Sequence, residues 1–326
     1  MIRQTMKSRS LVRSAAFLCA SLAPLLIGFS ANAQEVLRVP EGLPGWAFNI
    51  PDKVQPSAVK VEGVVKARGS KREYEASKIA GNATPPDWFP EEHPPAPKAV
   101  TGGEGIRFAC GSCHLMSGQS HAEAADIAGM PAQYLMRQMQ YYKDGSRKDD
   151  ARMGPIAKTT SEENIREAAE YFSSLKPRPF VKVIETATPP KTFIATAGRH
   201  RQLHPDGGTE PIGERIIQIP EDPFGTEIRD PHAGFIAYVP TGSIARGEAL
   251  VKDGACATCH GEGLKGKGDV PRLAGLQPLQ VTRQLFLIQH GASGGKTIEP
   301  MKPVVAKMTP NDIIAISAYA GSLPPS

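Results

Sequence analysis

Aromatic side chains are scarce in this chain: 11 Phe, 7 Tyr and 2 Trp make up 6% of 326 residues. A chain of this length suits about two domains, and so few rings leave their cores short of bulk. Long apolar runs are missing beyond residue 29, so nothing past that point reads as a membrane-crossing helix. The one such run, Ala15 to Phe29, is short and follows Arg3, Lys7, Arg9 and Arg13. It ends at Ala31-Asn32-Ala33, a small-residue cleavage site, so residues 1–33 read as a signal peptide rather than a span. Leu18 is too bulky for the position before a lipidated cysteine, which argues against Cys19 as an anchor. Excess charge is missing too. The net charge is +5, but residues 1–33 hold four cations and no acid, which leaves +1 on the mature chain of 293 residues. A basic face for nucleic acid is not implied. Cysteine is also rare. There are five, Cys19 is lost with the signal peptide, and the other four lie in two short strings, so the mature chain has no spare thiol.

Those strings are Cys110-Gly111-Ser112-Cys113-His114 and Cys256-Ala257-Thr258-Cys259-His260. Each is a Cys-x-x-Cys-His word, the attachment signature of a c-type haem. Two thiols three positions apart on one helical turn can each add to a vinyl group of the same porphyrin. The next residue then sits under the iron, and its imidazole becomes an axial ligand. Zinc competes, because Cys-x-x-Cys pairs often bind it, and a disulfide in each string is a further alternative. Zinc needs no histidine beside the second cysteine, and here both copies have one. The reading is therefore two covalently bound haem c groups, which would also supply missing apolar core.

The chain repeats itself around these words. The copies are offset by 146 residues at the strings and by 148 near the end. Ile127-Ala128-Gly129 matches Leu273-Ala274-Gly275, Arg137-Gln138 matches Arg283-Gln284, Met153 matches Met301, and Tyr171 matches Tyr319. Two residues inserted between Gly291 and Met301 read as a loop difference. Each copy predicts a short helix with the string, a second helix from near Pro131 or Gln277, a loop with a lone methionine, and a last helix. The last helices run from about Ser161 to Leu175 and from about Pro310 to Leu323. Thr160 and Glu163 have capping-box spacing, and Pro310 suits the first helical position after Thr309.

Residues 34–98 form a proline-rich extension, in which Pro85, Pro86, Pro90, Pro94, Pro95 and Pro97 predict extended chain. Residues 178–242 lie between haem domains at 99–177 and 243–326. Within them Arg215 to Pro220 and Gly234 to Pro240 read as short strands. At 65 residues the segment is too long for a bare connector, and it reads as packing across both haem domains or forming a docking surface.

His114 and His260 are the proximal iron ligands in this reading, with Cys110, Cys113, Cys256 and Cys259 as the attachment residues. Met153 and Met301 are the sixth ligands. Both precede the last helix, both have a proline within two residues (Pro155 and Pro303), and both occupy the same repeat position. Met308 is the rival at the second haem, but it aligns with Thr160. Met116, Met130, Met136 and Met139 read as core residues. His93, His121, His200, His204, His232 and His290 read as surface residues. Arg137 and Arg283 are candidates for haem propionates or for a solvated helix face.

These residues resemble class I c-type cytochromes, and in particular the di-haem cytochrome c4-like group. The second copy is the nearer match, with Cys259-His260-Gly261, then Gly266, Gly268, Pro271 and Leu273-Ala274-Gly275. The resemblance implies that the Pro271 carbonyl receives the ring N–H of His260. The first copy departs here, with Ala125 at the aligned position and Leu115 in place of the glycine. The fold class implied is mainly α, with two class I cytochrome c-like helical domains in tandem plus proline-rich and irregular segments. The function implied is single-electron transfer in the periplasm, as a carrier or electron-accepting subunit for a periplasmic dehydrogenase. Its partners would be redox proteins: that dehydrogenase and an oxidase or small cytochrome. A di-haem enzyme, such as a peroxidase or a sulfur-compound oxidase, is the alternative. A haem sensor of a gas is a third. Both need an open iron position, against which the paired methionines argue.

Overall fold

In the computed structural model, residues 42–50, 55–121, 124–149, 152–195, 200–254 and 256–326 are described. The signal-peptide reading and Cys19 fall outside them.

The proline-rich extension carries little regular structure, as its composition dictates. A two-residue pairing of β1 (Val64–Val65) with β2 (Tyr74–Glu75) leads into the single turn α1 (Ala76–Ile79). From Pro85 to Pro97 the chain is irregular apart from a 3-10 turn at Pro90–Glu92. Trp88 anchors this stretch. It is buried, Tyr74 packs edge-on at 4.8 Å, and its indole N–H donates to the Ile228 carbonyl at 2.9 Å.

The first helical half comprises α2 (Lys98–Thr101), α3 (Gly111–His114), α4 (Ala132–Asp144), α5 (Met153–Thr159) and α6 (Glu162–Ser174). Its core joins Ala99 and Val100 to Met116, Ala128, Ala168, Tyr171, Phe172 and Leu175. The cap of α6 is not Thr160. Ser161 takes the role, accepting the Asn164 N–H at 3.2 Å, because Thr160 spends its hydroxyl on the Ile156 carbonyl.

Three strands of the middle segment form a sheet in the order β3-β7-β6. β3 (Val181–Glu185) runs parallel to β7 (Phe235–Val239), and β6 (Ile217–Pro220) pairs antiparallel with β7. β4 (Thr192–Ile194) and β5 (Arg201–Leu203) make a separate antiparallel pair. The two anticipated strands are thus β6 and β7, and β3, β4 and β5 are additions. The single turn α7 (Pro223–Glu227) is capped by Asp222, which accepts from Gly225 N at 2.9 Å.

The second half comprises α8 (Ser243–Asp253), α9 (Cys256–His260), α10 (Pro278–Gln289), α11 (Lys302–Val305) and α12 (Pro310–Ser322). Thr309 and Asp312 close a full capping box on α12. α8 crosses α12 so closely that a Cβ on Gly247 would lie 2.0 Å from the Ala315 carbonyl, so only glycine fits. The sheet covers α12 from the other side, where Ile216, Ala237 and Val239 pack on Leu279, Ile314 and Ala318.

Residues 146 apart in sequence meet one another where the halves join. Arg147 forms a β-bridge with Ser293. The same guanidinium donates to Gln138 at 2.5 Å and to its counterpart Gln284 at 2.8 Å. Buried Arg272 donates to the carbonyls of Ala274 at 2.7 Å and Ala128 at 3.4 Å, and its charge acts on Asp126, its own counterpart. Contacts between equivalent positions are those of a local two-fold relation.

Candidate functional site

The first Cys-x-x-Cys-His word folds as one turn. Cys110 N–H donates to Ala99 at 3.0 Å, and His114 N–H donates to the Cys110 carbonyl at 2.9 Å. Both thiols lie half-buried on the turn, free of any disulfide. The ring Nδ1 of His114 lies 2.8 Å from the Ala125 carbonyl. A carbonyl can only accept, so Nδ1 carries the hydrogen and Nε2 keeps its lone pair. Burial holds the imidazole pKa below its ordinary value, which keeps that lone pair available. Phe172 packs edge-on against the ring at 6.2 Å.

The second word repeats this geometry on α9. His260 is 8% exposed, and its Nδ1 donates to the Pro271 carbonyl at 2.9 Å. Burial again lowers its pKa. The contact implied for Pro271 is therefore present, and Ala125 makes the same contact in the first half. The acceptor is a backbone carbonyl, so the proline ring is not what the histidine reads.

The two turns differ in their cover. Ser112 is 1% exposed and its hydroxyl donates to Asn82 O at 2.7 Å, so the extension lies over the first turn. Ala257, Thr258 and Cys259 face solvent. Burial pushes the Cys110 thiol up to about 11 and raises Cys113 and Cys256 as well. After each histidine the chain enters the left-handed region, Leu115 at φ 51° and Gly261 at φ 76°. A Cβ at Gly261 would sit 2.3 Å from the Gly266 carbonyl, whereas Leu115 is accommodated and buried.

The methionines are not in loops. Met153 is the first residue of α5, and Met301 ends a 3-10 turn, Glu299–Met301, that runs into α11. Pro155 and Pro303 misled here, because a helix's first turn needs no proline N–H. Met301 packs on the second half's core with Cys256, and so does Met308. Met153 is half-buried. Met116 and Met130 lie in the cores as anticipated.

Several histidines depart from the surface reading. His200 is 2% exposed, and burial brings its pKa down to about 4. His121 is half-buried and falls to about 3 through burial, Arg229 and His200. His93 is held by Asp87 at 3.1 Å and has a raised pKa. Arg137 reaches Asp269 in the other half at 3.1 Å, and Arg283 donates to the Ala47 carbonyl. Among the described residues no cluster of three or more Cys, His, Asp or Glu forms, so the two cysteine pairs do not make one four-sulfur zinc site.

The donor set fits a covalently held haem twice over: two free thiols one helical turn apart, then an imidazole oriented by a carbonyl with Nε2 available. The fold and these turns define a class I cytochrome c, and comparison with known proteins agrees. The cytochrome c family profile matches residues 244–324. Cytochrome c-554(547) of Halothiobacillus neapolitanus is 32% identical over 90 residues, 25% of this chain and 98% of that protein. Cytochrome c4 of Azotobacter vinelandii is 27% identical over 239 residues, 68% of this chain and 87% of that one. The thiosulfate dehydrogenase electron acceptor of Thiomonas intermedia strain K12 is 25% identical over 218 residues, 66% of this chain and 78% of the other. The chain belongs to the cytochrome c family, and within it is like the di-haem cytochromes c4. Its cofactor is covalently bound haem c and its task is electron transfer.

Proposed function

We propose that the protein is a periplasmic di-haem carrier that accepts single electrons from a dehydrogenase acting on a sulfur compound and passes them to an oxidase or a smaller cytochrome. Cys110, Cys113, His114 and Met153 hold one haem, and Cys256, Cys259, His260 and Met301 hold the other. The observation that carries the reading is the repeated histidine geometry, with each Nδ1 tied to a carbonyl eleven residues on. The named relatives support the donor class: two are electron acceptors of thiosulfate dehydrogenase, and one is the cytochrome subunit of a sulfide dehydrogenase. Among the described residues no helix is long and apolar enough to cross a membrane. When bound, each haem supplies an iron that cycles between ferrous and ferric states. The chain's own work is to orient the imidazoles, supply the thioether ligands and exclude water.

Met301→Ala tests the ligand assignment. A thioether favours reduced iron, so the variant lowers the second haem's potential, opens it to carbon monoxide and removes its near-infrared sulfur-to-iron band, with the first haem little changed. If Met308→Ala does this and Met301→Ala does not, Met308 is the ligand. An oxidised protein lacking the band at both haems, or one that turns over peroxide when reduced, contradicts the carrier reading in favour of an enzyme.

A further inference from the structure

Arg229 follows α7 in the middle segment, outside both haem-binding repeats. Its backbone is held at φ 60°, its side chain is 7% exposed, and Nη1 donates to the Gly81 carbonyl at 2.7 Å. The next carbonyl, that of Asn82, accepts the N–H of Ala109 at 2.8 Å and the hydroxyl of Ser112 at 2.7 Å. Guanidinium, residues 81–82 and the first attachment turn thus form one continuous layer. Arg229 also lines a cavity of about 240 Å³ together with Leu115, Met116 and Ser117, the three residues after His114.

Among the described residues no carboxylate pairs with Arg229. Glu227, two positions earlier, bonds Ser57, Gln202 and His200 instead. His121 beside it is held neutral. Arg229 and Arg152 both act on Cys113, but Arg152 lies exposed, where water and salt screen it. A guanidinium stays charged even when buried, and burying it without an anion is costly. The second turn opens to solvent at Ala257, Thr258 and Cys259, and the buried cation on its side, Arg272 beside Pro271, has the Asp126 carboxyl acting on it.

Ferric haem carries one more positive charge than ferrous haem. A buried cation nearby penalises the ferric state, because little solvent intervenes to weaken the repulsion. We propose that Arg229 is a fixed positive charge set against the first haem, which raises that haem's affinity for an electron and gives the middle segment a redox-tuning role. The inference rests on the reading that Cys110 and Cys113 carry a haem.

The test uses the full exported holoprotein as wild type, Arg229→Gln and Arg229→Lys. Each is titrated spectroelectrochemically, with the two haems assigned by NMR. Arg229→Gln shifts the first haem's redox equilibrium about tenfold toward the oxidised form, 59 mV for one electron, and leaves the second haem unmoved. Arg229→Lys keeps the first haem's redox equilibrium within about threefold of wild type, since it keeps the charge. An unmoved first haem in Arg229→Gln overturns the proposal, and so does an equal fall in Arg229→Lys, which would make the role one of shape. Should Arg229→Gln not mature, wild-type protein decides. A buried charge is little screened, so the first potential holds from about 10 mM to 1 M salt, and a tenfold shift of its redox equilibrium toward the oxidised form over that range would assign the effect to surface charge. Digestion distinguishes the two readings: a bare 110–114 peptide removes the haem assignment itself, whereas a loaded peptide with an unmoved potential removes only the role of Arg229.

Discussion

The turn at residues 110–114 and the turn at 256–260 share spacing, helical form and a histidine Nδ1 that donates to a carbonyl eleven residues later. Their surroundings share almost nothing. Residues 81–83 and Arg229 cover the first, while the second shows Ala257 to Cys259 to solvent. The first continues through Leu115, the second through Gly261, at similar backbone angles. The invariant is therefore the backbone geometry that aims an imidazole. Cover, charge and side chain vary around it, and on the proposed di-haem reading those are the levers that give each haem its own potential.

The sharpest way to break this comparison is at the residue after the histidine. Gly261→Leu places a Cβ against the Gly266 carbonyl in a left-handed backbone, and should destabilise the holoprotein by about 4 kcal/mol in chemical denaturation. Tolerance there would mean that the two turns are interchangeable. The next effect belongs to the first turn's surroundings. His200 is buried neutral, with a pKa of about 4 against 6.5 when free. Protons then prefer the unfolded chain, so stability is full above pH 6.5 and is lost as pH falls toward 4, by about 3 kcal/mol for this group. His200→Gln should flatten the denaturation profile over that window by the same amount, and an unchanged profile would place the acid sensitivity elsewhere. The smallest effect is at Pro271→Ala. It keeps the carbonyl and copies Ala125, so the second haem's spectrum should not change, and stability should fall by under about 1 kcal/mol. A shifted spectrum would show that the proline ring itself orients His260.

Local patterns were readable in the sequence because they are local. The Cys-x-x-Cys-His turns, the starts of α4 and α10, and the Thr309–Pro310 cap all depend on a few adjacent residues. The Ala125 contact was hidden because a backbone carbonyl leaves no side-chain signature. The cap of α6 fell one residue later than the Thr160 spacing suggested, because the Thr160 hydroxyl is spent on Ile156 and Ser161 caps instead. The strand at 181–185 did have a signal in Val181, Val183 and Ile184, but its partner lies across a long parallel crossover. Burial of His200 depends on Ser57, Gln202 and Glu227 meeting from three parts of the chain. The repeat was visible along the sequence. That equivalent residues such as Arg147 and Ser293 pair across a local two-fold was not, since periodicity carries no information on how copies face each other.

On the proposed reading each turn anchors its own haem. Mass spectrometry of peptides from the exported protein tests it most directly. One haem is expected on the peptide with Cys110 and Cys113 and one on the peptide with Cys256 and Cys259. A bare peptide at either position would contradict it.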